Sequence, residues 1–459
     1  MSALSLFASR FTPCVFLVFP QEKDRRHRPR RISIRSMRKT LENLTSVVGG
    51  EFVLRTATFV AAVLIARLYG AATLGTYTTA LAFATLLATV GDNGLNFSSI
   101  AEVSRRPHET DSIISSLYVV KTLLLAIAAA IALFVAWAWH IKPTAFVVGA
   151  LVMGKIFLNS YGQANFSMLK ALDRMRPIGM LQFFHSCALL GGMAMVYRFR
   201  WGIGILLAVF LGGQIAEILA SSAVLWRLRV RLTHTSFLDC FHLIKLSTPV
   251  GASSLLANFI LRLDVLVVSL FYSPLLVGHF AAANNGVVAM YAVAGLFGSV
   301  LLPEMAKIGP NLAEFMRKWL RIVCAVCVPM VIVVVLCATR LVVLVYGRSF
   351  AEAGPLVAVM AIAVPLIVLN AMYYSRAVAL QMRGTYLSIF FGTALLAVAL
   401  DITFARYLGL MGVAAAIVIR EATMLTAFLV SARGNFAVPA AGAASSLSLQ
   451  VFDSSPRRP

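Results

Sequence analysis

Four cations stand inside stretches that are otherwise apolar: Arg67 in AVLIARLYGAATLGTYTTA (62–80), Lys155 in LVMGKIFLNS (151–160), Arg262 in ANFILRLDVLVVSL (257–270) and Arg420 in GVAAAIVIREATML (412–425). Where the apolar surroundings are lipid, a charge at mid-depth costs about 2.5–3.5 kcal/mol on insertion scales. Such a residue persists by pairing, by reaching the headgroups or by facing water. A guanidinium that faces water is equipped to hold an oxyanion, because its planar fork donates to two oxygens at once. Similar stretches hold the cations Arg55 and Lys121 and the acids Glu51, Asp92, Glu217, Asp264, Asp401 and Glu421.

Helical spacing sorts these groups. Glu51 and Arg55 are four apart and share a face, so mutual pairing explains both. Arg67 lies near the end of its run, within reach of the headgroups. Arg262 lies deep in its run, and Asp264, two positions on, is turned to another face; Arg420 and Glu421 pose the same division. Lys155 has no acid within one helical turn. Arg262, Lys155 and Arg420, with Arg67 behind them, are the expected anion-binding cations. Asp92, Asp264 and Glu217 are expected to pair or to couple ions. Asn159, Gly162 and Gln163 share one face, and Asp92, Asn93 and Asn96 cluster, so Asn159, Gln163 and Asn93 could meet sugar hydroxyls or bond neighbouring helices.

The elements that carry these residues are membrane helices. Of 459 residues, 60% are hydrophobic and 13% charged, too little charge to cover a soluble protein of this length. About 20 apolar residues cross a bilayer as a helix. Runs bounded by charges and turn residues give twelve spans, at 52–70, 75–95, 113–139, 144–166, 178–197, 202–226, 248–272, 277–302, 322–346, 355–375, 385–405 and 410–431. With the N-terminus inside, the loops on one face carry fifteen Lys and Arg, while the other face carries Lys142, Arg198, Arg200, Arg340, Arg348 and Arg406. Positive-inside logic therefore puts both termini in the cytoplasm. The net charge of +22 follows from these loops and the N-terminal segment rather than from a groove-facing patch, which argues against nucleic acid as a partner. Pro365 removes a backbone bond inside a span and should bend it. Cys324 and Cys327 form a C-x-x-C within an apolar helix and are expected only to pack.

The chain also reads as a doubled unit. VLVVSLFYSPLLVGHFAAA (265–283) aligns with 62–80 at an offset of 203, pairing Tyr69 with Tyr272, Gly75 with Gly278, Tyr77 with Phe280 and Ala80 with Ala283, while Arg67 falls on Leu270. At an offset of 208, Arg198 falls on Arg406, Phe199 on Tyr407, Gly204 on Gly412 and Ala208 on Ala416. Two lobes of six helices that enter from the same side form a parallel repeat. The expected organisation is a basic cytoplasmic tail (1–48), an N-lobe (49–226), a cytoplasmic linker (227–247), a C-lobe (248–433) and a disordered tail (434–459). Leu228, Leu232, Phe237, Phe241 and Ile244 among basic residues suit a linker helix lying in the membrane interface. Synthesis starting at Met37 would remove the first 36 residues.

LIARLYGAATLGTY (64–77), GDNGL (91–95), LDVLVVSLFYSPLLVGHFAAA (263–283), LLPEMAK (301–307) and YGRSFAEAGPLVAVMA (346–361) occur in an order and spacing that resembles the multidrug/oligosaccharidyl-lipid/polysaccharide exporter superfamily, over about 40–435. Among its members the chain is most similar to bacterial O-antigen-type oligosaccharide flippases. The resemblance implies two six-helix bundles around a central cavity in the bacterial inner membrane. It further implies alternating access and, as substrate, an undecaprenyl-diphosphate-linked oligosaccharide moved from the inner to the outer leaflet. The four cations would then receive the diphosphate, and polysaccharide polymerase and glycosyltransferases would be partners. No P-loop or other cofactor motif is present, so no cofactor and no enzymatic activity are expected. A cation-coupled multidrug exporter is the alternative within the superfamily. Outside it, the alternative is a membrane polysaccharide polymerase or glycosyltransferase, against which the short outer loops count.

Overall fold

The computed structural model describes residues 34–308 and 312–434, with most side chains from Gly49 onward; the basic segment before Ile34 and the tail after Gly434 lie outside the described residues. All regular structure in the described residues is helical: α1 (Ile34–Asp92), α2 (Leu95–Arg105), α3 (Thr110–Ala138), α4 (Pro143–Ala171), α5 (Arg176–Phe199), α6 (Ile203–Arg227), α7 (Phe237–Phe271), α8 (Pro274–Ile308), α9 (Leu312–Tyr346), α10 (Gly354–Ala361), α11 (Ala363–Ala379), α12 (Arg383–Tyr407) and α13 (Gly409–Gly434). Bilayers permit this because helices satisfy every backbone donor internally.

Among the described residues, twelve crossings emerge once two irregular helices are resolved. A straight α1 of 59 residues would be nearly 90 Å long, about three times the hydrocarbon thickness. Gly70 divides it, with φ 78 and ψ 178, a conformation that side-chain-bearing residues rarely adopt. Arm 51–69 runs alongside α5, since Glu51 meets Gln182 and Tyr69 meets the carbonyl of Trp201. Arm 71–92 runs back, since Gly75 meets Pro274 while Asn93 meets Thr248. One helix is therefore two spans. Conversely, α10 and α11 are the two halves of one span, bent by 40° at Ile362. Pro365 explains the bend: without an N–H it leaves the carbonyl of Ala361 unpaired and crowds the preceding turn.

The lobes meet at two kinds of place. At the end of the molecule that carries Gly70, one apolar cluster joins both lobes, with Ile65, Ala66, Ala71 and Leu74 against Ala281, Ala282, Val342, Tyr346 and Phe350. The chain link between the lobes, residues 228–236, lies at the opposite end, called here the linker end. Of the interfacial helix expected over 227–245, only the part from Phe237 on is helical, with Phe237 and Phe241 exposed. Residues 228–236 form an irregular strap pinned to the start of α3, where Asp111 accepts from the Arg231 N–H, Ser115 from the Thr233 N–H, and Ser116 pairs with Thr235. Two strap backbone donors, those of Arg231 and Thr233, are satisfied by these side chains, which competes with helix formation there. Ser236 and Asp239 then form a capping box that starts α7 early, at Phe237. The first turns of α7 pack Cys240, Leu243 and Ile244 on the N-lobe. Likewise, the tail expected over 1–48 is helical from Ile34 onward, its Arg, Met, Lys, Leu and Glu residues favouring continuation of α1.

Candidate functional site

Two glycine crossings fix the seam between the lobes. A Cβ on Gly75 would overlap the Pro274 carbonyl oxygen, and one on Gly278 would overlap that of Ala71. These are the two glycines that the 203-residue offset makes equivalent. Only residues without side chains permit backbones this close. The second crossing is nearer the linker end. Asn93 (φ 38) and Gly94 (φ 71) break the helix between α1 and α2, and a Cβ on Gly94 would lie 2.6 Å from the Gly251 nitrogen. There the Asn93 amide also donates to Thr248 Oγ1 at 3.3 Å.

Arg262 of α7 lies along the chain between these crossings, half-buried, in electrostatic contact with Tyr77 of the facing arm of α1. Its Nε is buried and unpaired, and among the described residues no carboxylate lies within ion-pair reach of the guanidinium. Of the other in-span cations, Arg55, Arg67, Lys121 and Arg420 have hydrogen-bonded or ion-paired partners, while Lys155 has only the longer-range field of Glu217. Arg55 meets Glu51 at 2.9 Å, as the four-residue spacing implied. Lys121, fully buried, donates to Asp92 (2.8 Å), Asn96 (2.9 Å) and the Ser160 carbonyl (2.9 Å), clamping three helices beside the Asn93 break.

Within the N-lobe, Lys155 of α4 lies in electrostatic range of Glu217 of α6. Glu217 Oε2 accepts from Gln214 at 2.7 Å and sits 3.2 Å from His185 Nδ1 of α5. Glu51 accepts from both Arg55 and Gln182, extending this polar file toward the linker end of arm 51–69.

The C-lobe interior holds the densest charge. Arg420 is 1% exposed and donates to Asp264 through a fork, Nη1 to Oδ1 at 2.6 Å and Nη2 to Oδ2 at 3.3 Å. Glu421 lies 3.5 Å from its Nε, and itself accepts from Tyr291 (2.5 Å) and Asn370 (2.9 Å). Asp401 of α12 is fully buried beside Asp264, and neither of its oxygens has a hydrogen-bond partner.

The expected site residues are thus distributed rather than gathered. Arg420 and Asp264, expected in separate roles on different faces, are bound to each other across 156 residues of chain; the guanidinium is an internal counter-ion, not an open anion site. Asp92 serves Lys121. Arg67 reaches across the lobe boundary, donating from Nε to the Val345 carbonyl at 2.8 Å and from Nη2 to that of Leu344. Asn93 bridges the lobes, while Asn159 and Gln163 are half-buried along α4. His185, Gln182, Gln214, Tyr291 and Asn370 escaped the sequence reading, which weighed only formal charges and two polar clusters. Asp401 was visible as an in-span acid, but its lack of a donor is a three-dimensional fact.

A family model described as polysaccharide biosynthesis protein matches residues 40–309, more than half of the chain. Among solved structures the fold is similar to the lipid II flippase MurJ in an inward closed conformation (TM-score 0.71, 16% identity, covering 84% of this chain and 86% of that one). It is also similar to an inward-facing multidrug resistance MATE family transporter of the MOP superfamily (TM-score 0.64, 15% identity, 84% and 96% covered). A mutant of the Vibrio cholerae MATE transporter VcmN matches with a TM-score of 0.56 at 14% identity, covering 87% of this chain and 97% of that one. No curated protein matches the chain.

Proposed function

Because the chain belongs to the polysaccharide biosynthesis protein family, we propose that it flips a polyprenyl-diphosphate-linked oligosaccharide from the inner to the outer leaflet of a bacterial inner membrane for cell-surface polysaccharide assembly. One observation supports the choice of an anionic cargo: Arg262, at the seam between the lobes, has a buried, unpaired Nε and no carboxylate within ion-pair reach among the described residues, whereas the fork of Arg67 is already taken by two carbonyls. A diphosphate would complete it. The planar fork binds two phosphate oxygens together, and Tyr77 across the seam lies within electrostatic range of it.

On this reading the linker end is cytoplasmic, which the distribution of basic residues supports, and the closed Gly70 end faces outward. The headgroup enters the seam from the linker end while the prenyl chain stays in lipid, and rocking about the glycine crossings re-exposes it on the far side. Lys155, in range of Glu217 within the N-lobe, offers a second cation for the headgroup. Asn159 and Gln163 on the same helix serve the sugar hydroxyls. Asp401, a carboxylate with no donor beside Asp264, is the place for a coupling proton or cation, since a buried bare charge of that kind is expensive. Glycosyltransferases supply the cargo on the inner face, and a polymerase uses it outside.

The same acid surplus favours the second reading, a cation-coupled drug exporter. Those acids are 0–3% exposed at their side chains or residues, however, which suits coupling better than contact with a bulky cation. Surface glycan should be measured in a flippase-null strain complemented with Arg262→Ala and Arg262→Lys. Ala should lower glycan at least about tenfold and Lys should restore part of it, as loss and partial return of one charged contact would do. Normal glycan with Arg262→Ala overturns the anion site; normal glycan with lost efflux of a cationic dye favours the exporter.

A further inference from the structure

Arg67 has no place in that cargo path, and its geometry is unusual for an in-span arginine. It belongs to the last turn of arm 51–69 in the N-lobe, and its fork spans the lobe boundary to the carbonyls of Leu344 and Val345. Those carbonyls lie in the final turn of α9, which ends at Tyr346. The last four carbonyls of a helix have no partner in their own helix, and they carry the negative end of its dipole. A guanidinium satisfies both conditions at once, so Arg67 caps a helix of the opposite lobe.

We infer that this cross-lobe cap is a latch on the Gly70 end, holding the lobes together there until the cycle requires them to part. Three observations support it. The cap adjoins the joint apolar cluster, whose Tyr346 and Phe350 directly follow the capped turn, so it can open only if that cluster opens. Its strength suits a reversible contact: Arg67 remains solvent-exposed and bonds neutral carbonyls, whereas the buried Arg420–Asp264 fork is confined to one lobe and need never break. The latch is also one-sided, since the residue equivalent to Arg67 in the second repeat is Leu270, an exposed apolar side chain. One of the two pseudo-equivalent seams is therefore tied at this end, while the seam between Asn93–Gly94 and Thr248–Gly251 is the one drawn together toward the linker end.

This inference rests on alternating access but not on the identity of the cargo, and its test needs no substrate. Ala282, 3% exposed, lies in the joint cluster four residues after Gly278, and a cysteine there reports opening of this end. Spheroplasts carrying Ala282→Cys are treated with a membrane-impermeant maleimide, and modification of that peptide is timed by mass spectrometry. Arg67→Ala should speed labelling by about tenfold, the shift that loss of one charged hydrogen bond gives. Arg67→Lys, which keeps the charge but not the fork, should fall between Ala and the parent, and Leu270→Ala should change nothing. Should Arg67→Ala not accumulate, Arg67→Gln and Arg67→Lys carry the test. Labelling that stays at the parent rate in whichever of these variants accumulates overturns the latch. So does equal acceleration by Leu270→Ala, which would show general loosening. Loss of glycan with parental labelling would leave the transport reading intact and remove only the latch.

Discussion

Arg420→Met should be among the most damaging single changes in the C-lobe, and the structure says how damaging. The side chain is 1% exposed and forks onto Asp264, with Glu421 at 3.5 Å. Removing it leaves two or three buried carboxylates facing one another with no cation. Breaking a buried pair by deleting one partner costs about 3–5 kcal/mol, because the remaining charge is uncompensated. For a lobe of about 190 residues, each kcal/mol moves the midpoint by roughly 2–4 °C, so a fall on the order of 10 °C is expected. Asp264→Leu alone should fall less, since Glu421 still answers Arg420. The double variant, with both charges replaced by apolar groups of similar size, should recover much of the loss, leaving a coupling of at least about 2 kcal/mol. The assay is thermal unfolding of the purified protein in detergent, completed as a four-corner cycle. Additive losses, or a single-variant cost below about 1 kcal/mol, would refute the claim that this pair organises the lobe.

Two other outcomes follow from the same coordinates. Gly75→Ala should force the lobes apart at their crossing and raise labelling of Ala282→Cys, whereas Gly286→Ala, whose Cβ meets nothing within 4 Å, should be silent in the same assay. Asp401→Asn should raise the thermal midpoint, since an amide cannot ionise and so ends the unfavourable juxtaposition of two buried carboxyl groups, a gain on the order of 1 kcal/mol. It should also blunt the response of glycan export to a collapsed ion gradient; a lowered midpoint with an unchanged gradient response would contradict both expectations.

Spans were legible because hydropathy and span length are properties of contiguous sequence. The Glu51–Arg55 pair was legible because an i,i+4 contact is local, and the bend near Pro365 because proline acts on its own helix. The repeat went further than local pattern: a three-in-nineteen match selected Gly75 and Gly278, and those glycines turned out to face each other. What sequence could not supply was which helix each polar face meets. Arg420 and Asp264 are 156 residues apart, Lys121 and Asp92 are 29 apart, and Arg67 binds carbonyls that have no side-chain identity at all. Helical period gives a direction around an axis; only packing names the neighbour. The strap at 228–236 was misread for a related reason, since amphipathic composition cannot report that Asp111 and Ser115 on α3 wait for its backbone.

The turn at Gly70 bears on how the protein is made. The first two crossings are joined by a single helix-breaking residue rather than by a polar loop, so nothing hydrophilic separates them for export on its own. They must enter the bilayer together, as a preformed hairpin. The basic residues that flank the hairpin's open ends then bias the direction in which it inserts. A polar insertion at Gly70 would therefore act on biogenesis before it acted on transport.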